Sequence, residues 1–180
     1  MSMVGELKYF LGLQVEQGED GTRIHQQKYV REILKKFGMD SAKMCATPMS
    51  PNDSLAKDES SPHVDPTLYR GIGSLWYLMD SRPDMLFSVC LCARFQADPR
   101  ETLVEAVKRI LRYLKGMDDL CLFYLMGGDL RVMAYTDADY AGCKTARKSM
   151  SGMAQFLGPC LISWGSKKQS SIALSTAEAK

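Results

Sequence analysis

Residues of three kinds in this chain could do chemistry. Asp118-Asp119 is its one Asp-Asp pair, and adjacent carboxylates can hold the two metal ions, about 3.5–4 Å apart, of a phosphoryl-transfer site. The pair follows an apolar-periodic stretch at a turn, where acidic residues are common for conformational reasons alone. Six cysteines (Cys45, Cys90, Cys92, Cys121, Cys143 and Cys160) are scattered. Only Cys90 and Cys92 lie close together, and no second pair or nearby histidine completes the ligand set of a zinc site. Basic residues cluster as Lys28, Arg31, Lys35 and Lys36, as Lys108, Arg109, Arg112 and Lys115, and as Lys144, Arg147, Lys148, Lys167 and Lys168. Each cluster can either hold a phosphate backbone or serve as a solvated face.

Composition bounds these options. With 46% hydrophobic and 24% charged residues the chain is ordinary globular protein, which excludes disorder throughout. A net charge of +2 creates no global field for nucleic acid, so any such binding must be local. No apolar run approaches the length of a membrane span and no signal peptide is evident, so the cysteines read as reduced thiols of an intracellular, soluble protein.

The elements that must position these residues follow from periodicity. Residues 7–15 are apolar and aromatic enough for a strand, Gly18 to Gly21 supply a turn, and residues 22–25 return as a second strand. Tyr29, Ile33, Leu34 and Phe37 then recur at helical spacing, with Gly38 placed to end the helix. Residues 47–66 are rich in Pro, Ser and Asp and read as a linker or long surface loop, in which the lone His63 is a solvated side chain. Helical patterns return around Ile72, Leu75, Trp76 and Met79, again from Asp84 to Phe95, and a third time with Leu103, Val107, Ile110 and Leu114 in a stripe, beside Lys108, Arg112 and Lys115 on another face. After Gly116 the pattern is of strands, at residues 120–125, 130–136, 152–157 and 161–164, with Gly127-Gly128 and Gly158-Pro159 as turns. A helical first part therefore meets a strand-rich second part near residue 117.

A series of phrases, in order, resembles the Pol polyproteins of copia-type LTR retrotransposons. Tyr9-Phe-Leu-Gly-Leu-Gln14, Gln27-Lys-Tyr29 and Phe37-Gly-Met39 are similar to the stretch after the polymerase catalytic strands. Tyr69-Arg70, Gly73-Ser-Leu75, Arg82-Pro-Asp84 and Lys108-Arg-Ile-Leu-Arg-Tyr-Leu-Lys-Gly116 are similar to the thumb region. Tyr135-Thr-Asp-Ala-Asp-Tyr-Ala-Gly142, Arg147-Lys-Ser149, Ile162-Ser-Trp164, Ser166-Lys-Lys-Gln169 and Ala173-Leu-Ser-Thr-Ala-Glu-Ala179 resemble the family's ribonuclease H opening.

The resemblance implies an α+β chain: the end of a reverse transcriptase palm over residues 1–46, the linker at 47–66, thumb-like helices over 67–117 and a truncated ribonuclease H-like mixed sheet over 118–180. It places the polymerase Asp-Asp motif upstream of residue 1. Asp137 matches the family's first ribonuclease H aspartate, at the end of a strand, and would be a magnesium ligand only in a complete site. Lys180 stands where the family has a catalytic glutamate, and a cation there repels a metal. The parent would need magnesium; this chain alone is expected to need no cofactor and to be catalytically incomplete. Its implied partners are an RNA–DNA hybrid or primer–template duplex, held through Lys108, Arg109, Arg112 and Lys115 by backbone contacts, and the rest of the polyprotein, in a cytoplasmic virus-like particle or nucleus, with no membrane. The alternatives are a non-enzymatic nucleic-acid-binding remnant or an inert product of a degraded transposon. Truncation is also expected to leave Ile162, Trp164, Ile172 and Leu174 short of packing partners.

Overall fold

A computed structural model describes residues 5–50, 61–65, 69–128, 130–143 and 147–179. Lys180, Lys144 and the middle of the expected linker lie outside the described residues. The chain begins with strands β1 (Tyr9–Phe10), β2 (Leu13–Gln17) and β3 (Gly21–His25), followed by helix α1 (Gln27–Lys36). The single strand expected over residues 7–15 is broken. Leu11 and Gly12 have φ of 49° and 81°, a left-handed turn that folds β1 back on β2, so Tyr9 pairs with Gln14.

The second half of this body is helical. Short 3₁₀ turns at Arg70–Ile72, Tyr77–Asp80 and Pro83–Met85 flank helix α2 (Gly73–Trp76) and lead into α3 (Leu86–Ala93) and the long α4 (Glu101–Gly116). Val30, Ile33 and Leu34 of α1 meet Ile72, Leu75, Leu78, Val89, Ile110 and Leu114 in one apolar core. Burying each such side chain contributes about 1.5–3 kcal/mol. Two polar side chains buried beside it are satisfied by each other and by the backbone: Gln26 Nε2 donates to the Tyr77 carbonyl at 2.9 Å, and Ser81 Oγ donates to Gln26 Oε1 at 2.7 Å. His63 is exposed but not alone. It forms an isolated bridge with Arg100, and its Nδ1 lies 3.0 Å from Asp98.

After α4 come β4 (Leu122–Leu125), β5 (Val132–Cys143), β6 (Lys148–Leu157), β7 (Cys160–Lys168) and the single-turn α5 (Thr176–Ala179). Two sheets result, with strand orders β1-β2-β3-β4 and β5-β6-β7. Residues 120–125 were expected to open the second, strand-rich part. β4 instead joins the first sheet, pairing antiparallel with β3 so that Ile24 faces Leu122. Every recorded pairing is antiparallel, where a mixed second sheet was expected.

The second sheet docks on the helices through one edge. Trp164 Nε1 donates to the Met79 carbonyl at 3.1 Å, Arg94 Nη2 reaches Met150 Sδ at 2.8 Å, and Met150 and Cys160 are buried. Trp164 is thus partnered, contrary to expectation. Ile162, Ile172 and Leu174 are exposed as expected, Leu174 by 84%.

Candidate nucleic-acid interface and carboxylate site

Helix α4 owes its position to Leu103, Ala106, Ile110, Leu111 and Leu114, which recur at three- and four-residue spacing and are buried. Its remaining positions run from Glu101 and Glu105 near the N-terminus to Lys108, Arg112 and Lys115 near the C-terminus, an order that complements the helix dipole. The four basic residues expected to meet phosphates divide into two kinds. Arg109 Nη2 donates to Thr47 Oγ1 at 2.9 Å and Nε to the Thr47 carbonyl at 3.3 Å, while Lys115 Nζ donates to the Ala42 carbonyl at 2.8 Å. Cys45 N adds a bond to the Arg112 carbonyl at 3.3 Å. The segment after α1 is therefore strapped across this side of α4, and Arg109 and Lys115 are its fasteners. Lys108 is exposed and Arg112 half-buried; among the described residues neither side chain has a recorded partner.

A second basic surface lies on α1. Lys28, Arg31 and Lys35 border a shallow groove with Gln14, Gln27 and Glu32, and Gln14 Oε1 accepts the Lys28 backbone N–H at 2.9 Å. The sequence pattern identified the cluster but not Gln14, because only the β2–β3 fold-back brings it there. Arg31 Nε also donates to Asp118 at 3.0 Å, tying α1 to the turn after α4. Asp118 is thus half of an exposed ion pair.

Arg82-Pro-Asp84 turns out to be a structural node. The Arg82 guanidinium, 2% exposed, donates to both carboxylate oxygens of Asp84 at 3.0 and 2.7 Å and to the Met117 carbonyl at 2.7 Å. Tyr113 OH donates to the same carboxylate at 2.7 Å. Burial pushes Asp84 up, but the hydrogen bonds and charge of Arg82, helped by Tyr113, outweigh it and hold the carboxyl below its ordinary value.

Asp137 sits in the middle of β5, opposite Gly152, and not at a strand end, because β5 continues to Cys143 past a bulge. It is exposed, and its Oδ1 accepts the N–H of Ala138 at 2.8 Å. The Asp139 carboxylate folds over Gly142, lying 1.7 Å from where a Cβ there would be. Glu178 caps its own helix: its Oε2 accepts the Leu174 N–H at 2.7 Å while Ser175 Oγ accepts the Glu178 N–H at 3.2 Å. Among the described residues no three His, Cys, Asp or Glu side chains come together as a metal site. The described residues therefore bring together no carboxylate set that fits a magnesium pair. Cys90 and Cys92 are not activated: burial pushes the Cys92 thiol up to about 12 and Cys90 above its ordinary value.

No family model matches the chain, and no solved structure matches it significantly. Similar proteins do exist. The retrovirus-related Pol polyprotein from transposon RE1 of Arabidopsis thaliana is 40% identical over 97% of this chain, and that from transposon TNT 1-94 of Nicotiana tabacum is 35% identical over 100%. The chain belongs to the copia-type retrovirus-related Pol polyproteins of transposons. It spans 12% of the RE1 protein's length and 14% of the TNT 1-94 protein's. An uncharacterized mitochondrial protein of Arabidopsis thaliana is 34% identical over 99% of this chain and is itself covered for 74% of its length. Among the described residues no helix is long and apolar enough to cross a membrane.

Proposed function

We propose that this chain is the part of a retrotransposon polyprotein that runs from the end of the reverse transcriptase into the start of ribonuclease H. The parent would carry out magnesium-dependent, RNA-directed DNA synthesis and cleave RNA in RNA–DNA hybrids. This segment holds the duplex and does no chemistry alone.

The observation that carries the reading is the division on α4. Among the described residues the Lys108 and Arg112 side chains have no partner, on a helix seated by six buried side chains, while Arg109 and Lys115 fasten the neighbouring strap. Phosphate contacts of this kind position a duplex without reading its sequence. The family membership supplies the duplex class.

Titration of a fluorescent RNA–DNA hybrid with the purified chain at several salt concentrations tests this. Changing Lys108 and Arg112 together to alanine should weaken binding equally for unrelated sequences and reduce the salt slope by about 2. Unchanged affinity and slope would reduce the cluster to a solvated helix face.

A further inference from the structure

The strap across α4 carries a hydroxyl held beside a guanidinium. Three hydroxyl side chains of this chain stand directly before a proline, at Thr47, Ser50 and Ser61. Their surroundings differ. Ser50 and Ser61 are half-buried and Ser61 Oγ is shut off from solvent, while Thr47 is exposed in a segment that belongs to no helix or strand. An exposed hydroxyl followed by proline in irregular backbone is the form in which a proline-directed protein kinase takes its substrate.

Arg109 sets Thr47 further apart. Its Nη2 donates to Thr47 Oγ1 at 2.9 Å and its Nε to the Thr47 carbonyl at 3.3 Å, so a phosphate built on that oxygen meets a guanidinium already aimed at it. Guanidinium groups hold phosphate through short, charge-assisted hydrogen bonds. The bond lost is a weaker neutral one, from Thr47 Oγ1 to the Met49 carbonyl at 3.0 Å. Arg112 lies one turn along α4 from Arg109, about 5–6 Å between Cβ atoms for such a pair. From Glu105 to Lys115 this helix carries Lys108, Arg109, Arg112 and Lys115 against the one carboxylate of Glu105. A phosphate adds a charge of about −1.5 to −2, enough to offset roughly half of those cations.

We propose that Thr47 is a phosphorylation site for a proline-directed kinase, and that its phosphate, clasped by Arg109, masks the basic face of α4. The Thr47 hydroxyl oxygen attacks the γ-phosphorus of ATP, the bond from that phosphorus to the β,γ-bridging oxygen breaks, and ADP leaves with the electron pair. The hydroxyl proton passes to the base of the kinase. The clasp stands on the contact between Arg109 and Thr47 alone, whereas the masking rests on the duplex-holding role proposed above for Lys108 and Arg112.

Incubating the purified chain with a proline-directed kinase and magnesium-ATP should modify Thr47, located by mass mapping of peptides. A chain carrying phosphothreonine at position 47, installed during synthesis, then tests the clasp and the masking separately. Proteolytic cleavage within residues 42–47 should be slower than in the unmodified chain, and in an Arg109→Ala background the phosphate should give no such protection. Affinity for an RNA–DNA hybrid should fall about tenfold, with a shallower salt dependence. Three outcomes would each overturn the proposal and leave the holding role standing. They are Thr47 unmodified in the folded chain while a free peptide of residues 42–53 is modified, equal protection with and without Arg109, and unchanged hybrid affinity in a chain whose binding does depend on Lys108 and Arg112. Binding by the unmodified chain that ignores Lys108 and Arg112 would remove the holding role, and the masking with it.

Discussion

Arg82 grips Asp84 through two parallel hydrogen bonds while its third arm holds the Met117 carbonyl, so a two-residue-distant pair at the start of α3 also fixes the end of α4. Removing the carboxylate leaves a buried guanidinium without its counter-charge. Asp84→Ala should destabilise the chain by about 3 kcal/mol, the lower end for a broken buried pair because Asp84 itself keeps some solvent contact. Urea unfolding followed by circular dichroism measures this, and a loss below about 1 kcal/mol would show that water replaces the carboxylate cheaply.

The same pair gives the chain an acid sensitivity of known sign. The folded Asp84 carboxyl lies below its ordinary value of 3.8, so folding favours the ionised form. Its contribution is fully present above that ordinary value and is lost as pH falls through the lower folded value. Asp84→Asn should accordingly flatten the stability profile in the window below pH 3.8. Equal slopes for the two proteins there would assign the acid sensitivity to other carboxylates.

Gly12 is the position where the hairpin meets the helices. Tyr77 OH donates to the Leu11 carbonyl at 2.8 Å, and a Cβ on Gly12 would lie 1.6 Å from that hydroxyl, at a φ of 81°. Gly12→Ala should cost more than about 1 kcal/mol from backbone strain alone, with the clash in addition. In a Tyr77→Phe background the alanine should cost less, since the hydroxyl is gone although the ring remains close. Thermal unfolding of the four proteins of this cycle reads the coupling, and strict additivity would remove the contact from the explanation.

The legibility of the fold divides along the same line as its contacts. α1 and α4 could be read because Ile33, Leu34, Ile110 and Leu114 repeat at the helical period, a local property. The break at Leu11 could not, since a leucine with positive φ is rare and the apolar run around it reads as continuous strand. β4 was recognisable as a strand but not as a partner of β3, because alternation names a face and never the neighbour. Among site residues, charge type marked Arg109 and Lys115, whereas their engagement with Thr47 and Ala42 depends on a fold-back that no spacing encodes.

That engagement predicts a separation of effects on α4. Arg109→Ala and Lys115→Ala should lower stability by about 0.5–1.5 kcal/mol each, the usual net worth of such hydrogen bonds. They should also increase proteolytic cleavage within residues 42–47. Lys108→Ala and Arg112→Ala should leave unfolding and cleavage within experimental error while changing duplex affinity. If all four variants behave alike, the distinction between fastener and contact has no energetic content.

The pairing of Ile24 with Leu122 has a consequence for how the chain is made. As synthesis proceeds at about 5–20 residues per second, β3 emerges and must wait on the order of 5–20 seconds before β4 exists to cover its edge. During that interval α1 can form from local contacts, but its apolar face has no α4 to pack against. Nascent chains stalled just short of Leu122 should therefore be held by chaperones, and those extended a ribosome-tunnel length past Leu125 should be let go, so the strand that closes the sheet also times the release of this segment from chaperones.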